Sequence, residues 1–315
     1  MVARGKVVVI TGASGYIGAC LTHKLTSNRL TSSIIGFDTK PFPSPTPKLQ
    51  MNQHQLSPEF SDLLFKNKAE TLVHLGFTIQ HGHNKSEATA NNINCLEKAL
   101  TACKYASIKH IIYLSSTTVY GPHVDNPVLL SEKDKLRPVK GFQYAWDKVS
   151  AEKMLSRFGT ANPHIMITIL RSPIVMGPSA NNFITKALFK PLLVGIKGQD
   201  PFMQFIHEDD LTNILSWFVH NPKMGIFNVA APGLIKYSQL MHMSGKTFFW
   251  LPASLIYPLT DLSWFLHLQN DSTSAGLEFI RHPWIVDTKT FLNASNYLFK
   301  YSSKEALKSF FDSRT

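Results

Sequence analysis

The feature that most constrains this chain is the run Val7-Val8-Val9-Ile10-Thr11-Gly12-Ala13-Ser14-Gly15-Tyr16-Ile17-Gly18. Its β-branched residues predict a buried strand. Three glycines then fall three residues apart, and Cys20 to Leu25 continues with amphipathic helical spacing. Strand, tight turn and helix start, in that order, build a cradle for an anion. The first glycine supplies backbone freedom, the second lets the chain approach a pyrophosphate, and the third lets the helix pack on the strand. The helix N-terminus then offers free N–H groups and the positive end of its dipole. A Gly-rich turn by itself is often only a turn. The strand before it and the helix after it are the context that makes it a dinucleotide site.

The alternation continues downstream. Ser33 to Phe37 reads as a second strand closed by Asp38, 20 residues after Gly18. An acid there accepts the ribose hydroxyls of an adenosine and repels a 2′-phosphate. NAD is therefore favoured over NADP, although Lys40 lies two residues on. Four prolines between Lys40 and Lys48 mark an extended loop. Gln50 to Leu56 reads as a third strand, Pro58 to Phe65 as a helix and Thr71 to Leu75 as a fourth strand. Gly76-Phe77 would let the backbone pass close to a ligand. Ser86 to Tyr105 has helical period, with Ile93, Leu96, Leu100 and Cys103 on one face. Lys109 to Leu114 is a further strand that delivers Ser115-Ser116-Thr117-Thr118 at its carboxyl end. This pattern predicts an α/β protein with a Rossmann-type doubly wound parallel sheet and ligands at the strands' carboxyl ends. Residues 1–175 form the expected NAD-binding domain. Residues 176–315 form mainly a smaller C-terminal substrate-binding lobe, with some segments returning to the core.

Tyr144 and Lys148 lie four apart in a helical stretch, Phe142 to Phe158, so phenol and ammonium share one face. A lysine beside a tyrosine favours the phenolate, bringing a group of pKa about 10 toward usable basicity. Such a tyrosine takes the proton of a substrate hydroxyl while a cofactor takes the hydride. Ser116, at a strand end, would hold the same oxygen. Tyr-x-x-x-Lys arises often by chance, and its weight here comes from the nucleotide fingerprint and the Ser/Thr-rich strand end upstream.

The bulk composition narrows the partners. The chain has 315 residues, 44% hydrophobic and 17% charged, which describes an ordinary globular protein. A formal charge of +11 favours anionic partners such as nucleotides, phosphosugars or acidic lipids. The cations are scattered, without the run that marks a nucleic-acid arm, so no nucleic-acid partner is expected. Cys20, Cys95 and Cys103 have no metal-ligand spacing and no metal is expected; they read as reduced thiols in a cytoplasmic protein. No cleavable signal-peptide pattern precedes the first strand.

Taken together, these motifs resemble the extended short-chain dehydrogenases/reductases, the NAD-dependent epimerase/dehydratase family. The carriers are TGASGYIG, Phe37-Asp38, LVHLGF from Leu72, NNINCL from Asn91 and HIIYLSSTTVYG from His110. YAWDK from Tyr144, LRSPIVMGP from Leu170, IHEDDL from Ile206 and KYSSKEAL from Lys300 follow in order. The resemblance implies that Tyr144 is the general base, Lys148 its partner on the nicotinamide ribose and Ser116 the catalytic serine. It makes Gly12, Gly15, Tyr16, Ile17, Gly18 and Asp38 contacts of adenosine and pyrophosphate. Gln55-Leu56 stands where the family holds the adenine, Leu75, Gly76 and Phe77 where two alanines usually follow, and Cys95 where a glycine is common. Asn92 matches the asparagine near the cofactor, and Pro173 the residue beside the nicotinamide. Ser115 and Thr117 are alternates should the register slip by one, Ser115 toward the cofactor and Thr117 toward the substrate. Family members dimerise through a four-helix contact, here Ser86–Tyr105 with Phe142–Phe158, so a homodimer is implied.

The substrate half is less regular. Arg281 resembles the arginine that nucleotide-sugar enzymes place on a diphosphate, and equally a surface charge near a turn; Asn182 is a second diphosphate candidate. Asp210 reads as the cap of a helix beginning at Leu211. Residues 247–268, TFFWLPASLIYPLTDLSWFLHL, are too interrupted by Pro252, Pro258 and Asp261 for a comfortable spanning helix. Core, a peripheral membrane contact and a greasy lid remain open for them. The first functional expectation is an epimerase or dehydratase of a nucleotide-activated sugar. The alternatives are a dehydrogenase or reductase of a hydrophobic alcohol, sterol- or isoprenoid-like, and a non-catalytic NAD-binding scaffold.

Overall fold

The computed structural model describes residues 5–57, 59–78, 85–188, 190–269 and 272–314. Strand β1 (Lys6–Thr11) leads through the glycine turn into α1 (Tyr16–Thr26), followed by β2 (Thr31–Asp38) and β3 (Leu49–Gln53). Then come α2 (Glu59–Lys66), β4 (Thr71–His74), α3 (Lys85–Tyr105), β5 (His110–Ser116), α4 (Gln143–Ala161) and β6 (Met166–Ser172). Shorter pieces follow: β7 (Ile174–Met176), α5 (Phe183–Leu188), β8 (Leu192–Ile196), β9 (Phe202–Met203), β10 (Phe205–His207) and α6 (Glu208–His220). The chain closes with β11 (Gly225–Asn228), β12 (Ile235–Lys236), α7 (Tyr237–Met243), β13 (Thr247–Leu251), α8 (Ala253–Phe265), α9 (Lys289–Ser295) and α10 (Ser303–Asp312).

Seven strands make one parallel sheet in the order β11-β6-β5-β4-β1-β2-β3. The run Val7 to Ile10 shows why β1 lies at its centre. Val7 and Val9 enter the core on one face with Leu72 and Leu96, while Val8 and Ile10 enter the other with Leu21 and Ile214. A strand buried on both faces needs an unbroken apolar run, as here. The chain winds outward from β1 to β3 and then crosses to β4 on the other side of β1. That reversal opens a crevice above the carboxyl ends of β1 and β4.

Several boundaries differ from the sequence expectation. Strand β3 ends at Gln53, and His54 to Leu56 leave the sheet. Pro58 lies outside the described residues. Helix α6 packs against α1, and β11 pairs with β6, so residues 208–228 belong with the nucleotide half. Helix α6 also starts earlier than predicted, at Glu208, with His207 as its N-cap. Asp210 therefore caps nothing. Its carboxylate accepts the Tyr297 hydroxyl (2.8 Å) and the Lys300 and Tyr301 N–H groups (3.1 Å each), pinning the closing segment. In the smaller lobe, β13 lies parallel to β8 and α8 follows it. Ile256 is the only buried residue of α8, which overturns the core reading of 247–268 for this helix. Among the described residues, no helix is long and apolar enough to cross a membrane, and no group of His, Cys, Asp and Glu could hold a metal ion.

Candidate active site

The glycine turn lies at the crevice. Gly12 has φ +72°, and a Cβ there would stand 2.7 Å from the Gly76 backbone nitrogen. A Cβ on Gly18 would sit 2.0 Å from the Gly12 carbonyl oxygen. Both positions need glycine, because the turn and β4's exit pass too close for any side chain. Helix α1 starts beyond Gly15 with no acidic residue in its first turn, so its positive end is not neutralised there. At the end of β2 the Asp38 carboxylate accepts the Ser14 and Lys40 N–H groups at 3.1 Å each. The acid thus braces the turn, and a carboxylate's remaining lone pairs can still accept from a ribose. A cradle that a Cβ would fill, beside a braced acid, fits a dinucleotide.

From this turn a cleft of about 460 Å³ runs toward the smaller lobe. Gly12, Gly15, Tyr16, Ile17 and Gly18 form one end, and Leu75 and Phe77 flank them. Ser115, Ser116, Tyr144, Lys148 and Pro173 line the middle, and Asn182 the far side. The three predicted catalytic residues are thus brought together from two elements. Ser116 ends β5, while Tyr144 and Lys148 stand one turn apart on α4. Ser116 Oγ accepts both the N–H (3.2 Å) and the hydroxyl (3.0 Å) of Thr118, which leaves its own O–H to donate. Tyr144 stands beside Ser116, whose hydroxyl favours the phenolate. Its ring stands edge-on to Phe77, centroids 5.4 Å apart. Lys148 Nζ donates to the Leu114 carbonyl (2.9 Å) and lies 3.8 Å from the centre of the Phe77 ring. Phe77 therefore packs against both Tyr144 and Lys148, a contact its place in LVHLGF did not disclose.

The electrostatics differ from the sequence expectation. Lys148 does not make Tyr144 a better acid in this state, because burial dominates. Desolvation pushes the Tyr144 phenol up to about 12, with the Ser116 hydroxyl pulling the other way. The Lys148 ammonium, 5% exposed and 5.7 Å from the Tyr144 ring centre, is itself pushed down to about 7. Burial causes that shift, opposed by Glu152 and Asp147. The pair is held as a neutral phenol beside a weakly basic amine, and further positive charge in the cleft would draw the phenol down.

Other predicted residues turn their polar groups elsewhere or lie outside the cleft. Ser115 turns its hydroxyl away, donating to Glu152 at 2.5 Å, while Glu152 is also paired with Arg171 at 2.6 Å. Thr117 is fully buried, with its hydroxyl unpartnered, and its neighbour Thr118 reaches the cleft instead. Asn92 is spent on the loop after β4: it accepts the Thr78 N–H (2.7 Å) and donates to the Thr78 carbonyl (3.1 Å). Leu56 is buried in the core near Phe37 and Phe60, and Gln55 is exposed beside it; neither lines the cleft. Asn182 caps α5, accepting the Ile184 and Thr185 N–H groups at 3.1 Å and donating to the Val175 carbonyl. Arg281 donates to the Tyr257 hydroxyl (3.2 Å) and faces Glu278 at 3.9 Å, outside the cleft. In this conformation Asn182 is occupied as a helix cap and Arg281 lies outside the cleft, so neither presents a diphosphate contact there. The far walls are apolar instead, built from Val175, Ile184, Met203, Phe279, Ile280 and Trp284, with Lys186 as a cation among them.

Comparison with known proteins identifies the family and the fold. The model of the NAD dependent epimerase/dehydratase family matches residues 8–230. An uncharacterized protein of Mycobacterium tuberculosis is 24% identical over 318 residues, covering 98% of this chain and 84% of the relative. The fold is similar to MoeE5 in complex with UDP-glucuronic acid and NAD, at TM-score 0.77 and 20% identity over 98% of this chain and 99% of that one. It is also similar to UDP-glucuronic acid 4-epimerase from Bacillus cereus in complex with NAD, at TM-score 0.73 and 20% identity over 98% of each chain. With its glycine turn, its Tyr-x-x-x-Lys helix and a family match over most of its length, the chain belongs to the NAD-dependent epimerase/dehydratase family.

Proposed function

We propose that the protein binds NAD in the glycine-turn crevice and acts as an epimerase or dehydratase on a nucleotide-activated sugar. The observation that carries the reading is the convergence of Ser116, Tyr144 and Lys148 on the same cleft as Gly12, Gly15 and Gly18. NAD supplies a hydride acceptor when bound. Around it the protein's own groups divide the work. The Ser116 hydroxyl holds the substrate oxygen, and Tyr144, drawn to its phenolate by the added positive charge of the loaded cleft, receives that oxygen's proton while the carbon's hydride goes to the bound acceptor and a keto group forms. Lys148, fixed by its hydrogen bond to the Leu114 carbonyl beside Tyr144, supports the proton transfer when it is protonated. The protein is read as a cytoplasmic homodimer joined through α3 and α4, which sizing of the purified protein tests.

A second reading is favoured by the cleft's far walls. They are apolar, and both candidate diphosphate ligands are engaged elsewhere, which suits a hydrophobic alcohol or ketone. Mass spectrometry of ligands retained on the purified protein separates the two. NAD with a nucleoside diphosphate sugar supports the first reading; NAD with a lipid-like alcohol replaces it with the second. Tyr144→Phe tests both against a non-catalytic scaffold, because unchanged biological activity would remove both catalytic readings.

A further inference from the structure

Helix α8 carries its polarity inside out. Surface helices of globular proteins present apolar residues to the core and polar residues to water. Here Leu255, Leu259, Leu262 and Leu266 follow at helical spacing along one stripe and are 47–53% exposed. Phe265, beside that stripe, is 75% exposed. The polar groups of the same helix turn toward the protein. Tyr257 donates its hydroxyl to Glu278 at 2.6 Å, and Asp261 accepts the N–H (2.7 Å) and hydroxyl (2.8 Å) of Ser274. Those bonds fasten α8 to the tight helical segment Ser274–Ile280 and fix which side faces out. The outward stripe is continued by Leu268, 75% exposed. A contiguous apolar patch of this kind marks a surface that another apolar phase covers.

Cations stand at the end of the stripe where α8 begins. The Lys197 N–H donates to the Leu251 carbonyl at 2.8 Å, which sets this exposed lysine at the β13–α8 junction. Lys246 directly precedes β13, and the chain as a whole carries +11. An apolar stripe with lysines near its β13 end, on a chain of strongly positive net charge, is complementary to an anionic bilayer, whose surface attracts the cations while its acyl boundary takes the leucines. We infer that the α8 face is a peripheral docking surface for anionic membranes. This inference does not depend on the reaction proposed above. It does bear on access to the cleft, because Gly276, Phe279 and Ile280 of the segment fastened to α8 form part of the cleft wall.

Flotation of the full-length protein with phosphatidylcholine vesicles, with and without phosphatidylglycerol, tests the inference. Wild type should float with the phosphatidylglycerol vesicles and lose that partitioning as salt is raised. The double variant Leu259→Gln/Leu262→Gln should partition about tenfold less while keeping its circular dichroism spectrum. Lys197→Glu/Lys246→Glu, which leaves the leucines intact, should weaken binding to phosphatidylglycerol vesicles in the same direction. Absence of wild-type flotation, or equal flotation of the leucine variant, overturns the inference. So does a wild-type oligomer that the leucine variant alone dissociates, which would assign the face to a second copy.

Discussion

The Tyr16 phenol, at the first residue of α1, donates a hydrogen bond to the carboxylate of Glu208, at the first residue of α6. Glu208 also accepts the Ser179 N–H at 3.2 Å, so one buried carboxylate ties the glycine turn to the chain entering the smaller lobe. Burial and the neighbouring Glu208 hold the phenol far above its ordinary range, so it remains a donor at any working pH.

Tyr16→Phe should therefore leave a buried carboxylate short of one donor. The expected loss is about 1–3 kcal/mol of stability, read as a lower denaturant midpoint with unchanged slope. Retention of NAD through gel filtration should fall with it. An unchanged midpoint would mean that the hydrogen bond adds nothing to the fold.

Gly18→Ala addresses the cradle directly. Its Cβ would sit 2.0 Å from the Gly12 carbonyl oxygen, a backbone atom that cannot swing aside. The turn must open, with an expected loss of roughly 1–3 kcal/mol and of measurable NAD binding by calorimetry. Retained binding at wild-type affinity would contradict the close packing of this turn.

Lys148 gives a pH signature. Its folded-state pKa is pushed down to about 7, below the ordinary value of a lysine in the unfolded chain. Between those values the unfolded chain binds the extra proton, so this group makes stability rise as pH climbs from about 7 toward 10. Below pH 7 the group is protonated in both states and its full burial penalty is present. Lys148→Met should flatten that rise and raise stability at pH 7 by something on the order of a few kcal/mol, while removing turnover. An equally steep pH dependence in the variant would locate the titration elsewhere.

The Asp38 carboxylate should discriminate between cofactors. NADP is expected to bind at least about tenfold more weakly than NAD, since its 2′-phosphate meets this acid. Asp38→Ser should narrow the gap, as measured by fluorescence titration with the two reduced cofactors. A wild-type preference for NADP would overturn the assignment.

The sheet was legible because its signals are local. Val7 to Ile10 is continuous because both faces of β1 are covered, and the glycines mark where backbone passes backbone. The convergence of the candidate catalytic residues was legible for the same reason, with Tyr144 and Lys148 one helical turn apart and Ser116 at a strand end. What the sequence missed depends on where side chains turn in three dimensions. Asn182 and Arg281 carry suitable chemistry for a diphosphate, yet one caps α5 and the other faces Tyr257 and Glu278. The ionisation of Tyr144 was misread because spacing reveals a neighbouring lysine and conceals full burial. Residues 247–268 were ambiguous because composition records the leucines of α8 but not which side they face.

The central claim is that Tyr144 performs proton transfer in an NAD-dependent reaction. It is tested most directly by mixing purified protein, NAD and a panel of UDP-sugars while following reduced-nicotinamide absorbance and sugar products. Wild type should convert at least one UDP-sugar, with reduced nicotinamide appearing transiently. Tyr144→Phe should retain NAD and lower the rate by about 10²–10⁴-fold. Conversion at the wild-type rate by Tyr144→Phe would contradict the account.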